Sequence, residues 1–138
     1  MSEAKSSGLD NVVAADTLIS DVDGERGRLV IAGEDVERLA QVAGFEAAAA
    51  RVLAAGGATI SMHEDALARA RALAWERLPA LGDALSAPDG MDALRAALAH
   101  LRSTGDDAAD ALAVIGAAPV FVAAWSRTRA GRAPVAPS

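Results

Sequence analysis

Cysteine and tyrosine are absent from the 138 residues, and only two Trp and two Phe provide aromatic rings. Without cysteine there is no disulfide, no thiolate metal site and no cysteine nucleophile. The apolar fraction is 52%, but half of those residues are alanines. Alanine favours helices yet buries little area, so the composition predicts closely packed helices around a thin core. We expect a monomer of this chain to be marginally stable.

The formal net charge is −6, and the basic residues are spread along the chain instead of being clustered. This distribution argues against nucleic acid and anionic membranes as partners. Residues 1–10 are polar and contain no apolar signal-peptide core. The longest uncharged run, residues 111–126, contains Gly116 and Pro119 and is shorter than the ~20 residues of a bilayer-spanning helix. We therefore expect no membrane segment and a cytoplasmic protein.

The order of patterns along the chain predicts a mainly α fold, with an N-terminal β-hairpin followed by about five to six helices. Branched residues at 17–19 and 29–31 flank the Gly- and Asp-rich segment 21–27, which is typical of a hairpin. The first strand region also includes Val12 and Val13. We predict three units: a flexible leader (1–8), a single helical domain with the hairpin (9–132) and an extended tail (133–138).

Glycines and capping residues predict where the first helices begin and end. Two short helices, separated near Gly44, are expected before the double glycine at 56–57. Ser61 and Glu64 form a capping box for a third helix, which Pro79 should kink or split. The apolar residues of this helix share one face at the helical period: Leu67, Ala70, Ala74, Leu78, Leu81 and Leu85.

Asp89 and Asp106 predict the N-caps of two further helices. The helix after Asp106 is expected to end at about Gly116. A last helix is expected to begin at Pro119 and to end at Gly131. The helix after Asp89 has an apolar face formed by Met91, Leu94, Leu98 and Leu101.

The two histidines, His63 and His100, have no second histidine or carboxylate at a recognised metal-ligand spacing. We interpret His63 as a surface residue and His100 as a histidine beside the apolar face of the predicted helix 91–102. Neither is predicted to be a ligand or a general base.

The carboxylates Asp21, Asp23 and Glu25 alternate as in a calcium loop, but the downstream bidentate Glu is missing. A solvated hairpin turn is the preferred interpretation. Three later carboxylates fit a helix N-terminus, where negative charge is stabilising: Asp106, Asp107 and Asp110. No glycine-rich nucleotide motif and no G-x-S-x-G elbow occurs. The residues by themselves assign no catalytic, cofactor-binding or metal-binding side chain.

Residues 8–33 read GLDNVVAADTLISDVDGERGRLVIAG. This segment resembles the opening of citrate and 2-methylcitrate synthases, which have a Gly-Leu leader, a T-x-(I/L)-S strand, an (I/V)-D-G-x-x-G-x-L turn and a closing glycine. Phe45-Glu46 and residues 53–56 fall where that family has an F-E helix and an L-x-x-G turn.

Residues 89–95, DGMDALR, are similar to the P-M-D-x-L-R helix of the same family. Residues 119–137 are similar to its following P-x-(I/L/V)-x-A-x-x-R-x-x-x-G stretch. The chain departs from the family at 57–59, where the family has L-P, and it lacks the tyrosine after the second strand. The resemblance covers about residue 8 to the C-terminus, and it implies the N-terminal part of the citrate synthase large domain.

The resemblance implies a tricarboxylic acid cycle acyltransferase that condenses acetyl-CoA with oxaloacetate to give citrate. In the family, the catalytic histidines and aspartate, the oxaloacetate-binding residues and the coenzyme A segments come from a part that these 138 residues lack. The H-G-G/A-A-N motif has no counterpart here. We therefore expect no catalytic, cofactor-binding or metal residue in this chain, with acetyl-CoA a substrate of the assembled enzyme only.

The expected role is that of a truncated N-terminal segment or subunit, active with a complementary citrate synthase-like chain and with or without homo-oligomerisation. Two alternatives stay open: a non-catalytic helical interaction or regulatory protein, and a relic fragment without function.

Overall fold

A computed structural model describes residues 16–58 and 64–137. Within these ranges the chain forms five α-helices, two short 3-10 turns and a small antiparallel sheet. The fold class predicted from the sequence is therefore confirmed. The predictions made for the leader, Val12, Val13, Ser61 and His63 lie outside the described residues.

The sheet has three strands in sequential order: β1 (Ser20–Asp23), β2 (Arg28–Ile31) and β3 (Glu34–Asp35). β1 and β2 pair in antiparallel register, with Ser20 opposite Ile31 and Asp23 opposite Arg28. Gly27 has a φ of 62°, which suits a residue without a Cβ in this tight turn. The hairpin is confirmed, but its first strand lies later than residues 17–19. The segment 21–23, predicted to belong to the turn, pairs with β2 instead.

Two helices follow the sheet, as predicted: α1 (Val36–Val42) and α2 (Phe45–Ala55). The Asp35 side chain caps α1 by accepting a hydrogen bond from the backbone N–H of Glu37. α2 ends at Gly56, and Gly57 adopts a φ of 88°. That left-handed residue lets the chain satisfy the last helical carbonyls, so the double glycine is a true helix stop.

α3 (Glu64–Arg77) ends two residues before Pro79 and is followed by the 3-10 turn Leu78–Ala80. Proline cannot donate the backbone hydrogen bond that a continuing α-helix needs, and its ring clashes with the preceding turn. The predicted split is confirmed. A second 3-10 turn, Ala84–Ser86, leads to α4.

α4 (Gly90–Leu98) begins at the predicted cap, where Asp89 accepts hydrogen bonds from the N–H groups of Met91 and Asp92. The predicted apolar face is only partly right. Ala93 and Ala97 are buried, whereas Met91 is exposed. The small alanines let α4 approach its neighbours closely. The three leucines of the predicted face pack at the margin of the core: Leu94, Leu98 and Leu101.

α5 (Asp107–Arg129) is one continuous helix of 23 residues, so the predicted division between Gly116 and Pro119 is wrong. Five residues around this point are buried against other elements: Gly116, Ala117, Val120, Phe121 and Ala124. Packing along both sides of Pro119 outweighs the lost hydrogen bond, because tertiary burial stabilises a helix more than local propensity does. α5 ends as predicted, with Gly131 at a φ of 66°.

Because α5 is continuous, it is longer than either of the two helices that were predicted for this segment. By length and composition α5 could cross a bilayer, with a mean hydropathy of 1.8 over its most apolar window, whereas the predicted break would have made it too short. Core helices of soluble proteins have the same property. α5 packs against α3 and α4 and buries Phe121, while 28% of its most apolar window is buried in the described structure.

The core lies between α3, α4, α5 and the two 3-10 turns. Its buried residues are Ala74, Leu81, Ala84, Ala97, Ala117, Val120 and Phe121. Four of these seven are alanines, as the composition indicates. Small side chains provide little buried area each, so the helices must lie close together for the core to be filled.

Candidate functional site

The histidines and turn carboxylates considered from the sequence do not meet in one site. His100 is exposed two residues beyond the end of α4, where it lines an open cavity of about 410 Å³. Asp23 accepts a hydrogen bond from the backbone N–H of Arg26 at 3.0 Å and forms an ion pair with its guanidinium at 3.2 Å. Asp21 lies in β1 opposite Val30. In residues 16–58 and 64–137 no group of three His, Asp or Glu side chains could hold a metal ion.

Asp110 fixes the loop that precedes α5. Its carboxylate accepts hydrogen bonds from the Ser103 hydroxyl at 2.5 Å and from the Thr104 backbone N–H and hydroxyl, both at 2.8 Å. These donors, with the Ser103 hydroxyl the strongest, lower the pKa of Asp110 below its usual value. Asp106 caps the helix as predicted, accepting from the N–H groups of Ala108 and Ala109. The two carboxylates therefore have structural partners.

Trp125 connects α5 to the segment before α4. Its indole N–H donates to the Ala87 carbonyl oxygen at 2.9 Å, and the Arg129 guanidinium lies 5.4 Å from the ring centroid. Arg129 also donates to the Pro88 carbonyl oxygen at 2.6 Å. A Cβ on Gly90 would lie 3.0 Å from the Trp125 ring, so glycine fits the space that the indole leaves. This arrangement ties the end of α5 to the segment before α4 and so stabilises the fold.

α3 and α5 approach each other closely at Gly116. A Cβ there would overlap the Ala70 Cβ and lie 3.0 Å from the Ala70 carbonyl carbon. Backbone-to-backbone packing of this kind is possible only where glycine faces a small side chain. To one side of this contact the helices leave a concave surface, which we call the α3–α5 groove.

The α3–α5 groove has a volume of about 390 Å³ and lies between α3, the segment 101–104 and the first half of α5. Most of its lining is apolar, with Leu73 61% exposed within it. Its larger apolar residues are Leu73, Leu101 and Leu112, and alanines supply most of the remaining surface. The groove is large and apolar enough to be a small-molecule site, since such sites have volumes of about 300–1,000 Å³.

Three arginines also line the groove: Arg69, Arg77 and Arg102. None of them forms an ion pair with a side chain that the structure describes. Five other arginines do form such pairs: Arg26, Arg28, Arg38, Arg51 and Arg95. In an acidic chain, the α3–α5 groove is thus a place where positive charge remains available. We regard it as the candidate site.

The α3–α5 groove was not predicted from the sequence. One signal was present, because Arg69, Leu73 and Arg77 recur at four-residue spacing and so follow one side of α3. Arg102 could not be added from the pattern, since it comes from a segment after α4 that only the tertiary fold brings to α3.

The family described as citrate synthase, C-terminal domain, matches residues 8–138. No curated protein matches the chain. The description names a C-terminal domain, whereas the motifs above resemble the N-terminal part of these enzymes. Which part of a full-length member the chain corresponds to therefore stays a prediction. The match covers nearly all of the 138 residues, and the chain belongs to the citrate synthase family.

Proposed function

We propose that the chain is an N-terminal segment or subunit of a citrate synthase-like acyl-CoA condensing enzyme and forms the active enzyme with a complementary chain. The family match over residues 8–138 supports this proposal most directly. The assembled enzyme would be a cytoplasmic acyltransferase of the tricarboxylic acid cycle, using acetyl-CoA and oxaloacetate.

The reaction of this family is a Claisen-type condensation. A base removes a proton from the acetyl methyl group, and the resulting enol carbon attacks the keto carbon of the acceptor. The new C–C bond gives a citryl thioester, and hydrolysis then releases citrate and coenzyme A. This chemistry needs a positioned carboxylate base, a donor that stabilises the enol oxygen and cations for a dianionic acceptor. The chain has arginines that could serve as such cations. Among the described carboxylates, the one with a clearly lowered pKa is Asp110, and it accepts hydrogen bonds from Ser103 and Thr104 in the loop before α5.

The surface of α5 supports a partner chain. Val114 and Val122 are each 42% exposed, and they lie eight residues apart in a stretch without charged side chains. A helix of a small protein normally carries charges on its solvent face. An uncharged face beside a thin core is expected of an element that completes its packing against another polypeptide.

A co-purification experiment followed by an assay tests the proposal. The tagged chain is isolated from its native host, and citrate and free coenzyme A are measured after addition of acetyl-CoA and oxaloacetate. We expect a second polypeptide carrying an H-G-G/A motif and citrate formation only when both chains are present. Val122→Lys should abolish co-purification, because it places a charge in the uncharged face of α5. Thr128→Lys adds the same charge to an exposed position near the helix end and should have no effect.

Three results would contradict the proposal. One is citrate formation by the purified chain alone. The second is no partner together with no activity after mixing with a chain that carries the missing motif. The third is an unfolding midpoint of the isolated chain that does not rise when the partner is added, since a partner that completes the core must stabilise the folded chain.

A non-catalytic role is the second candidate function. It is favoured by the hydrogen bonds that the Asp110 carboxylate accepts from Ser103 and Thr104, because these bonds give the carboxylate a structural role. In that case the chain would bind a full-length citrate synthase homologue and change its activity without contributing a reacting group. Measuring the rate of such a homologue with and without the chain distinguishes the two functions.

A further inference from the structure

Two cavities on one side of the molecule meet at the same pair of arginines. The α3–α5 groove is lined by Arg77 and Arg102, and so is the neighbouring cavity of about 410 Å³. The second cavity also contains His100, and its other lining residues are Ala80, Leu81 and Ala99. Arg77 and Arg102 therefore stand between a mainly apolar groove and a more polar, open cavity.

The two ends of the α3–α5 groove differ in charge. Arg77, in the last turn of α3, and Arg102 line both cavities, and neither forms an ion pair with a described carboxylate. Arg69 is two helical turns earlier on α3, roughly 12 Å away at the rise of an α-helix. Between these positions the surface is apolar and includes the exposed Leu73. The groove thus combines a cationic end with an apolar length.

We propose that the α3–α5 groove binds an amphipathic organic anion, with the anionic group between Arg77 and Arg102 and the alkyl chain along the groove toward Leu73. Guanidinium groups bind carboxylates through paired, charge-assisted hydrogen bonds. Burial of the alkyl chain would cover apolar surface that is otherwise in contact with water. This inference is independent of the proposed citrate synthase function, because neither the family match nor a partner chain enters it.

The volume of the groove favours a small ligand over a partner helix. About 390 Å³ lies within the usual range for small-molecule sites of about 300–1,000 Å³. Arg77 also has a structural explanation, since a cation is stabilised in the last turn of a helix. That explanation does not extend to Arg102, which lies outside any helix. Two arginines from different segments at one end of an apolar groove are what an anionic headgroup would require.

Calorimetric titration of the purified full chain tests the proposal, with ligands kept below their micelle concentrations. The probes are octanoate, decanoate, neutral decanol and acetate. We expect decanoate to bind more tightly than octanoate by about three- to fourfold per added methylene, the value for a buried CH₂. Acetate should show no binding, and decanol should bind more weakly than decanoate because it lacks the charge.

Arginine variants test the orientation of the ligand. Arg77→Gln and Arg102→Gln should each weaken decanoate binding by about two- to fivefold, within the range for an exposed ion pair. Arg69→Gln, at the opposite end, should change it by less than about twofold. Arg132→Gln, at an exposed position outside the groove, is the control. Far-UV circular dichroism checks whether each variant keeps the fold. If Arg77→Gln alters the fold, Arg102→Gln still tests the proposal, because Arg102 lies outside the helices.

Three outcomes would overturn the proposal. Equal affinity for decanol and decanoate would show that the arginines do not bind an anion. An equal loss in the Arg69 and Arg77 variants would remove the proposed orientation. Binding of an acidic amphipathic helical peptide, with no binding of decanoate, would assign the groove to a polypeptide partner.

Discussion

Replacement of Gly116 by alanine probes the close approach of α3 and α5. The new Cβ would overlap the Ala70 Cβ, lie 3.0 Å from the Ala70 carbonyl carbon and lie 3.2 Å from the Arg71 nitrogen. Carbon atoms in contact are ordinarily about 3.5–4.0 Å apart. The obstructing atoms belong to backbone and to a Cβ, so no side-chain rotation relieves the overlap. The helices must separate for the variant to fold.

Two opposing effects set the magnitude for Gly116→Ala. Alanine raises intrinsic helix stability by about 1 kcal/mol relative to glycine. Overpacking costs about 1–3 kcal/mol, and the rigid surroundings place this site in the upper half of that range. The net expectation is a destabilisation of about 1–2 kcal/mol. For a chain of this size that corresponds to a fall in Tm of about 3–8 °C.

The assay combines urea unfolding, followed by circular dichroism, with amide hydrogen exchange of α3 and α5. Hydrogen exchange reports local opening free energies and does not require a cooperative melt. Ala123→Gly, at an exposed position of α5, is the matched control for helix propensity and should cost about 1 kcal/mol.

A double-mutant cycle with Ala70→Gly isolates the contact itself. In the parent chain Ala70→Gly should destabilise α3 by about 1 kcal/mol, because glycine is a poorer helix former. In the Gly116→Ala background the same change removes the worst overlap, so its cost should fall or reverse, with a coupling free energy of about 1 kcal/mol or more. A rise in stability in Gly116→Ala, or strictly additive effects in the cycle, would refute the proposed close approach.

Three further predictions concern single side chains. The depressed pKa of Asp110 means that its hydrogen bonds stabilise the fold above the unfolded value of 3.8 and lose that effect as pH falls through the lower folded value. Asp110→Asn should therefore lower the urea midpoint at pH 7 but not at strongly acidic pH, and an equal loss at both pH values would contradict this linkage. Trp125→Phe keeps the ring but loses the bond to the Ala87 carbonyl, so it should cost about 0.5–1.5 kcal/mol by urea titration; no loss would show that the bond is not formed. Pro119→Ala should stabilise α5 by about 1–2 kcal/mol in the same assay by restoring a helical hydrogen bond, and destabilisation would mean that the proline is required.

The family resemblance was accessible from sequence because its motifs depend on local backbone needs. Gly27 in the hairpin turn has a φ of 62°, a backbone angle that favours glycine. A turn of this kind therefore places glycine at a fixed position in the motif. The candidate groove was not accessible in this way. Arg69 and Arg77 share one side of α3, but Arg102 reaches them only through the packing of α4 and α5. Sequence spacing cannot bring together residues from separate elements.

The sequence by itself determined the helix ends at Asp89, Asp106, Gly57 and Gly131, because each depends on hydrogen bonds or a backbone angle within a few residues. It also determined the hairpin and the thin, alanine-rich core. The tertiary structure decided that α5 passes through Pro119, since burial on both sides of the proline offsets one missing hydrogen bond. It also decided that alanines, not Met91, form the buried face of α4, and that one groove is lined by arginines without an ion-pair partner among the described side chains. These outcomes depend on which elements pack together, and local physical preferences do not contain that information.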